Sequence, residues 1–530
     1  GAATEGNAHP HRSAGVAVVH NGIIENFAAL RAELGEQGLR AETDTDTETV
    51  AMLVRAQLDA GMTPEAAVQA TLARLEGAFA LLFLFENHPD LLIAARKGSP
   101  LAIGHGEGEM FVGSDAIALA PLTRRITYLE EGDWAVITRA GATIRDAEGQ
   151  IVQRPLREVA IDAARIEKGG YRHYMMKEIA EQPTVIGNLL DERVGPEGEA
   201  LRLGLPELDL GEIDRISIVA CGTAYYAGLV AKYWFERHAR LPVDIDVASE
   251  FRYREPPIAP RTLGIFVSQS GETADTLAAL RFSKGRTALN LALVNVPESS
   301  IAREADMTMP LEAGPEVSVA STKAFTCQLV NLALLVIAAA RARGTIDAAQ
   351  MAAMLADLRR LPGLMNHVLS ANEAIAAIAA ELAEARDVLF LGRGQMFPLA
   401  LEGALKLKEI SYLHAEGYPS GELKHGPIAL VDKATPTVVL APHDRLMEKT
   451  VSNMQEVMAR GGPVLLIGDA AAMSAAGAQV WRRITLPEAP EFLHPILYAL
   501  PVQLLAYHAA VAKGTDVDQP RNLAKSVTVE

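Results

Sequence analysis

A lysine set between two glutamates on one face of a helix can move protons. Between Leu391 and Pro427 the sequence runs LGRGQMFPLALEGALKLKEISYLHAEGYPSGELKHGP, and Glu402, Lys406 and Glu409 fall at i, i+4 and i+7. A short apolar strand from Val388 to Leu391 ends in Gly392-Arg393-Gly394 and leads into that helix. The loop beyond carries Lys424-His425-Gly426-Pro427, where glycine and proline fix the backbone beside an imidazole. Acid, base, amine and imidazole in one such unit are what proton transfer on a sugar requires. The same residues also fit a solvated helix with ordinary ion pairs and a surface histidine.

A second stretch is suited to holding an anion. The apolar strand Gly264 to Val267 runs into Ser268-Gln269-Ser270-Gly271-Glu272-Thr273, and a helix follows from Ala274 to Phe282. Hydroxyls, a side-chain amide and free backbone N–H groups then meet at a helix N-terminus, a setting that favours a phosphate. Each charge-assisted hydrogen bond there contributes roughly 1.5–3 kcal/mol, enough in combination to offset an adverse net charge. A plain capping arrangement around Ser270 and Thr273 is the alternative, though two serines flanking a glutamine exceed what capping needs. Val319-Ala320-Ser321-Thr322-Lys323 repeats the theme at the head of a long apolar helix. No GxxxxGK[ST] motif occurs, which disfavours a nucleotide. Near the chain end stands Lys525, whose default is a solvated tail unless that tail docks into a site.

These motifs need several domains to position them. The chain has 530 residues, 49% hydrophobic and 22% charged, which predicts about three well-packed domains. The formal charge of −17 and the lack of a basic run disfavour nucleic-acid binding. Cys221 and Cys327 are the two cysteines; they lack metal-ligand spacing and suit a reducing compartment. The apolar run Leu329 to Ala340 is short for a membrane span and predicts a buried helix. There is no secretory signal peptide, and the chain opens on Gly1 in mid-pattern, as a fragment or processed form would. Cys221-Gly222-Thr223-Ala224, at the end of the strand Ile216 to Ala220, has the same strand–glycine–helix grammar as Gly392-Arg393-Gly394 a domain length later. Further strands, each followed by a helix, predict two parallel sheets wound on both faces, with ligands at the carboxyl ends of their strands.

The amino-terminal third differs. Val16 to Val19 reads as a strand, and His20-Asn21-Gly22 as a turn whose amides could also form an oxyanion hole. A helix spans Asn26 to Glu36, and Thr43-Asp44-Thr45-Asp46-Thr47-Glu48 reads as a helix cap with an acidic first turn. An aspartate there could instead hold the ammonium of an amino acid. From Ala78 to Val152 the pattern is strand-rich, which predicts a layered α+β domain. The charged, aperiodic stretch after residue 152 reads as a linker.

The strings NAHPH, VVHNGIIEN, CGTA, SQSGETADT, VASTKAFT, LEGALKLKEISY, GELKHGP and DQPRNLAKSVTVE together resemble one family, the bacterial glucosamine-6-phosphate synthases, from Gly1 to Glu530. The resemblance implies an α/β protein overall: a truncated α+β glutaminase domain of the N-terminal-nucleophile hydrolase fold (1–155), a linker (156–172), two sugar-isomerase (SIS) domains (173–365 and 366–515) and a C-terminal active-site tail (516–530). It implies conversion of fructose 6-phosphate and glutamine to glucosamine 6-phosphate and glutamate, with glucose 6-phosphate as the isomerisation product, in a cytoplasmic homodimer with no cofactor, metal, nucleic acid or membrane. Ser268, Gln269, Ser270 and Thr273 match the phosphate loop; Thr223, Val319, Ser321 and Ala524 match further sugar contacts. Lys525 matches the Schiff-base lysine, Glu409 the base between C1 and C2, Lys406 a residue handling the hydroxyl proton, and His425 a ring opener supplied by the partner subunit. Glu402 takes a supporting role. Asn21 and Gly22 match an oxyanion hole, and Asp46 the residue holding the glutamine amine.

Two departures stand out. The family's N-terminal cysteine nucleophile is absent, and so is its glutamine-binding arginine and tryptophan segment, so the chain as given is expected to isomerise sugar without hydrolysing glutamine. Ala224 stands where the family usually has a serine. A non-catalytic sugar-phosphate sensor, or a related aldose–ketose isomerase or deaminase, are the alternatives.

Overall fold

The computed structural model describes residues 4–114, 116–158, 167–195, 200–206 and 208–527. The chain divides into two compact units, one made mainly of residues before 167 and one mainly of residues 167–526.

The first unit is layered. Its strands are β1 (His11–Ser13), β2 (Val16–Ile24), β3 (Gly77–Phe85), β4 (Leu92–Lys97), β5 (Ala102–His105), β6 (Met110–Gly113), β7 (Arg125–Tyr128), β8 (Trp134–Thr138), β9 (Gly141–Arg145), β10 (Ile151–Val152) and β11 (Leu156–Glu158). They form a seven-stranded sheet ordered β1-β2-β3-β4-β8-β9-β10 and a four-stranded sheet ordered β11-β7-β5-β6. Alternation along β3 decides the layers. Phe79, Leu81, Phe83 and Phe85 join a core with Val50, Leu53 and Val54 of the Asp46–Asp59 helix. Ala80 on the opposite face packs with Leu101 and Ile103 around the second sheet. This is the expected α+β layering. Of the stretch read as a linker, residues 156–158 form β11, paired with β7, and 159–166 lie outside the described residues.

One sequence reading is corrected here. His20-Asn21-Gly22 is not a turn: β2 continues to Ile24, and Asn21 and Gly22 pair with Ala80 and Phe79. Nine consecutive pairings with β3 override the local turn preference of Asn-Gly. Glycine is required there for a different reason. At φ +145° a Cβ on Gly22 would lie 2.2 Å from the Ala78 carbonyl oxygen.

The second unit holds two five-stranded parallel sheets. The first comprises β12 (Arg215–Ala220), β13 (Val243–Val247), β14 (Thr262–Ser268), β15 (Leu289–Val294) and β16 (Met307–Pro310), ordered β13-β12-β14-β15-β16. The second comprises β17 (Asp387–Gly392), β18 (His414–Pro419), β19 (Thr437–Ala441), β20 (Val464–Gly468) and β21 (Arg482–Thr485), ordered β18-β17-β19-β20-β21. The identical order realises the repeat read from the sequence. In each sheet the winding reverses beside the first strand, where such folds open a crevice. The helices Lys323–Ala342 and Glu491–Lys513 have the length and apolarity of membrane spans, yet the apolar windows are 94% and 83% buried as core helices. They belong to one continuous apolar core with the helices Gly222–Trp234 and Met396–Ser411.

Candidate active site

The helix Met396–Ser411 follows β17 and buries most of its length. Its i, i+4, i+7 face is turned inward. Lys406 Nζ donates to Glu409 Oε2 at 2.5 Å and lies 3.7 Å from Glu402 Oε1. Glu402 and Lys406 are 0% and 1% exposed, so the solvated-helix alternative fails. Thr223, at the start of the helix after β12, donates from Oγ1 to Glu402 Oε1 at 3.3 Å. The two halves of the repeat therefore meet at this carboxyl.

Burial pushes the Glu402 carboxyl up to about 8, further helped by Glu409, against the pull of Lys406. Its Oε2 is buried with no hydrogen-bond partner among the described residues. It is a neutral acid at pH 7. Burial opposes the charge on Lys406, but Glu402 and Glu409 outweigh it and hold the ammonium above its ordinary value. A stability prediction follows from the sign. The unfolded carboxyl loses its proton near 4.5 and the folded one near 8, so the folded state holds the extra proton between them. Stability from this group is greatest below that window and declines through it by up to about 1.4 kcal/mol per pH unit. Glu402→Gln is expected to flatten the decline in urea-unfolding free energy between about pH 5 and about pH 8. An unchanged slope would contradict a buried, protonated Glu402.

The C-terminal tail folds onto the same unit. Asp518 accepts the N–H groups of Tyr174 and Met175 at 2.9 and 3.0 Å, capping the helix Tyr174–Arg193, and its carbonyl accepts Val319 N–H at 3.0 Å. Arg521 N–H donates to Tyr412 Oη at 2.8 Å. Held by these anchors, Lys525 Nζ donates to Glu316 Oε2 at 2.6 Å and to the Ser318 carbonyl at 2.8 Å. Ser526 Oγ lies 3.0 Å from Ser270 Oγ, so the amine stands beside the hydroxyl-bearing loop after β14.

That loop is fixed by a close approach. Ser268 Oγ accepts Gly271 N–H at 3.0 Å, and the Gln269 carbonyl accepts Asn295 N–H. Gly271 has φ +67°, and a Cβ there would lie 1.9 Å from Ser299 Oγ. Gly271→Ala is expected to lower unfolding free energy by at least about 2 kcal/mol, combining backbone strain and overpacking. In the Gly271→Ala/Ser299→Gly pair the packing part should return and the backbone part should not. Urea unfolding of the three variants measures both.

Other sequence-selected residues fall as follows. Ser321 Oγ is buried without a partner among the described residues, Thr273 is half-buried and Ala524 is exposed. The hydroxyl theme at residues 319–323 is corrected in part: the helix N–H groups of Thr322 and Ala324 are taken by Glu316 Oε1 at 2.9 and 3.0 Å, so an internal carboxylate occupies that N-terminus. His425 ends an exposed 3-10 turn and makes no hydrogen bond or ion pair among the described residues, so within one chain it does not join the acid–amine cluster. Lys525 pairs with Glu316 and not with Glu409. Ala224 packs against the core. In the first unit, Asp46 Oδ2 accepts Ile24 N–H at 2.8 Å, close to Asn21 and Gly22 on the same strand. Burial holds both cysteine thiols above their ordinary value, which disfavours thiolate chemistry at either.

Glu316, Ser318, Glu178, Asp518 and Ser526 escaped the sequence reading. Glu316 left one signal, a carboxylate just ahead of a helix head.

The comparisons with known proteins agree with this architecture. Residues 3–121 match the glutamine amidotransferase domain, and 209–338 and 381–513 each match the SIS domain. The chain is thus a tandem SIS-domain protein with an amino-terminal glutamine amidotransferase domain. Glutamine–fructose-6-phosphate aminotransferases (isomerizing) from Brucella abortus and Bradyrhizobium diazoefficiens are 57% and 58% identical to it, over all of this chain and 87% of each relative. The solved C-terminal domain of glucosamine-fructose-6-phosphate aminotransferase from Francisella tularensis matches 67% of this chain and 100% of its own, with TM-score 0.65 and 44% identity. Glucosamine-6-phosphate deaminase from Thermotoga maritima matches 67% of this chain and 99% of its own, with TM-score 0.52 and 25% identity. The chain belongs to the glutamine–fructose-6-phosphate aminotransferase (isomerizing) family.

Proposed function

We propose that the protein makes D-glucosamine 6-phosphate and L-glutamate from D-fructose 6-phosphate and L-glutamine, in the cytoplasm and as a homodimer. The observation that carries this reading is the docked tail, which holds the Lys525 amine beside the Ser268–Ser270 loop. Ser268, Gln269, Ser270 and Thr273 bind the phosphate, and Thr223, Val319, Ser321 and Ala524 line the sugar. Since Val319 N–H is bonded to Asp518, its carbonyl is the group left for a hydroxyl. His425 of the neighbouring protomer opens the ring. Lys525 then adds to the C2 carbonyl, and the resulting imine makes the C1 protons acidic. Glu409 carries a proton between C1 and C2, oriented by Lys406, while Lys406 with the neutral Glu402 serves the hydroxyl proton. Asn21, Gly22 and Asp46 hold glutamine. The two SIS domains are assigned to 173–365 and 366–515.

The test uses the isomerase half alone. Incubation with fructose 6-phosphate is expected to yield glucose 6-phosphate, followed by coupled oxidation of the product. Binding without any conversion would leave only a sugar-phosphate sensor.

A further inference from the structure

An amine that adds to a carbonyl must first be neutral, and the site has to take its proton. The ammonium of Lys525 meets one carboxylate directly, Glu316, whose side chain is 0% exposed. A second buried glutamate stands behind it: Glu178, from the helix Tyr174–Arg193, accepts the N–H groups of Val317 and Ser318 and the Ser318 hydroxyl. Ser318 thereby joins both, through its carbonyl to Lys525 and through its N–H and hydroxyl to Glu178. This arrangement goes beyond orienting a tail, which Asp518 already anchors.

We propose that Glu316 accepts the proton the Lys525 ammonium must shed, and returns it when the carbinolamine hydroxyl leaves, with Glu178 as the residue that positions this exchange. The proposal rests on the imine role given to Lys525 above and names the base that role requires.

The step balances. The Lys525 N–H proton passes to Glu316 Oε2, and the neutral amine adds its lone pair to C2 of the open-chain ketose. The alkoxide so formed takes a proton from the nitrogen and becomes a hydroxyl. The carboxyl of Glu316 then protonates that hydroxyl, the C–O bond breaks with loss of water, and the nitrogen lone pair forms the iminium. Glu316 ends as it began, ionised.

Electrostatics suit such a round trip. Burial alone would raise the Glu316 carboxyl, but Lys525 and the N–H groups of Ala324 and Thr322 outweigh it and hold it below the usual range. Once the amine is neutral, its opposing charge is gone and burial favours the protonated carboxyl. Burial, with Glu316 as a like charge, lifts Glu178 to about 7. The other charges facing the pair are Lys323, tied to Glu181 at 2.8 Å, and Lys406 with Glu402 and Glu409 around it. Each cation there has its own carboxylate, which leaves Glu316 to Lys525.

The test is borohydride trapping of fructose 6-phosphate on Lys525, read by mass spectrometry from about pH 6 to about pH 9.5. Glu316→Gln should slow trapping about 10²-fold near neutrality and recover steeply as pH rises, because hydroxide then deprotonates the lysine. Sugar-dependent thermal stabilisation of this variant should persist. Glu178→Gln, which keeps the hydrogen-bonding shape and removes the second negative charge, should slow neutral trapping about 3- to 10-fold. It decides the matter should Glu316→Gln fail to fold, and parent-like trapping across the pH range in this variant would then count against the proposal. A parent that traps no sugar overturns the imine reading and this proposal together. A trapping parent with a Glu316→Gln variant of the same rate and pH profile overturns this proposal alone.

Discussion

Lys525→Ala is expected to lower conversion of fructose 6-phosphate to glucose 6-phosphate by about 10³-fold or more, with sugar affinity within about 3-fold of the parent. The size follows from what the substitution removes and what it leaves. The tail does not depend on this amine for docking, because Asp518, Arg521 and Ser526 hold it through Tyr174, Met175, Val319, Tyr412 and Ser270. The hydroxyl loop after β14 has its own internal bonds. Only the group that forms the imine is lost, and no neighbour replaces it, since Lys323 is tied to Glu181 and Lys406 to Glu409. Glu316 loses its counter-charge but keeps its backbone N–H donors, so the expected stability cost is about 1–3 kcal/mol, not loss of the fold. Lys525→Arg should not restore turnover, because a guanidinium does not give up its proton. Turnover and equilibrium binding measured on both variants check this; a tenth of parental turnover in the alanine variant would remove Lys525 from the mechanism.

How much of this was legible beforehand depended on how local the physics is. The Glu402–Lys406–Glu409 face could be read because helical geometry alone sets a spacing of four and then three residues. The repeat could be read because each strand of a parallel sheet must be followed by a crossover, leaving the same punctuation at Cys221-Gly222 and Gly392-Arg393-Gly394. The glutamates around Lys525 could not. Glu178 and Glu316 are distant in sequence, on different elements, and neither sits in a motif; only folding makes them neighbours of the same serine. A carboxylate serving a helix N-terminus from outside the helix looks in sequence like any other loop glutamate. Asn21-Gly22 failed in the opposite direction. Its turn signal is local, and pairing along the whole of β2 overrode it. His425 is a third case: the sequence ties it to the acid–amine helix by proximity, while the fold leaves it on an exposed turn.

Lys406→Met should lower isomerase turnover by about 10²- to 10⁴-fold while leaving the apparent affinity for fructose 6-phosphate within about 3-fold. Lys406 is the one cation between Glu402 and Glu409 among the described contacts, and Glu409 takes its orientation from a 2.5 Å bond to that ammonium. Without it the Glu409 side chain, 21% exposed, is free to turn toward water, and a base swung away from C1 and C2 no longer shuttles their proton. Removing one partner of a buried ion pair ordinarily costs about 3–5 kcal/mol, because a bare charge stays behind. Here the cost should be nearer 1–2 kcal/mol, since Glu402 already keeps its proton up to about 8 and has no charge to strand at neutral pH. That difference separates function from folding: the variant should unfold cooperatively only slightly below the parent, yet be nearly inactive. Lys406→Arg should not recover the activity, because a planar fork cannot reproduce a point charge lying 2.5 Å from one carboxylate and 3.7 Å from the other. Steady-state kinetics beside urea unfolding decide it, and a methionine variant that unfolds at the parental midpoint and keeps more than a tenth of the turnover would show that the helix face is structural after all.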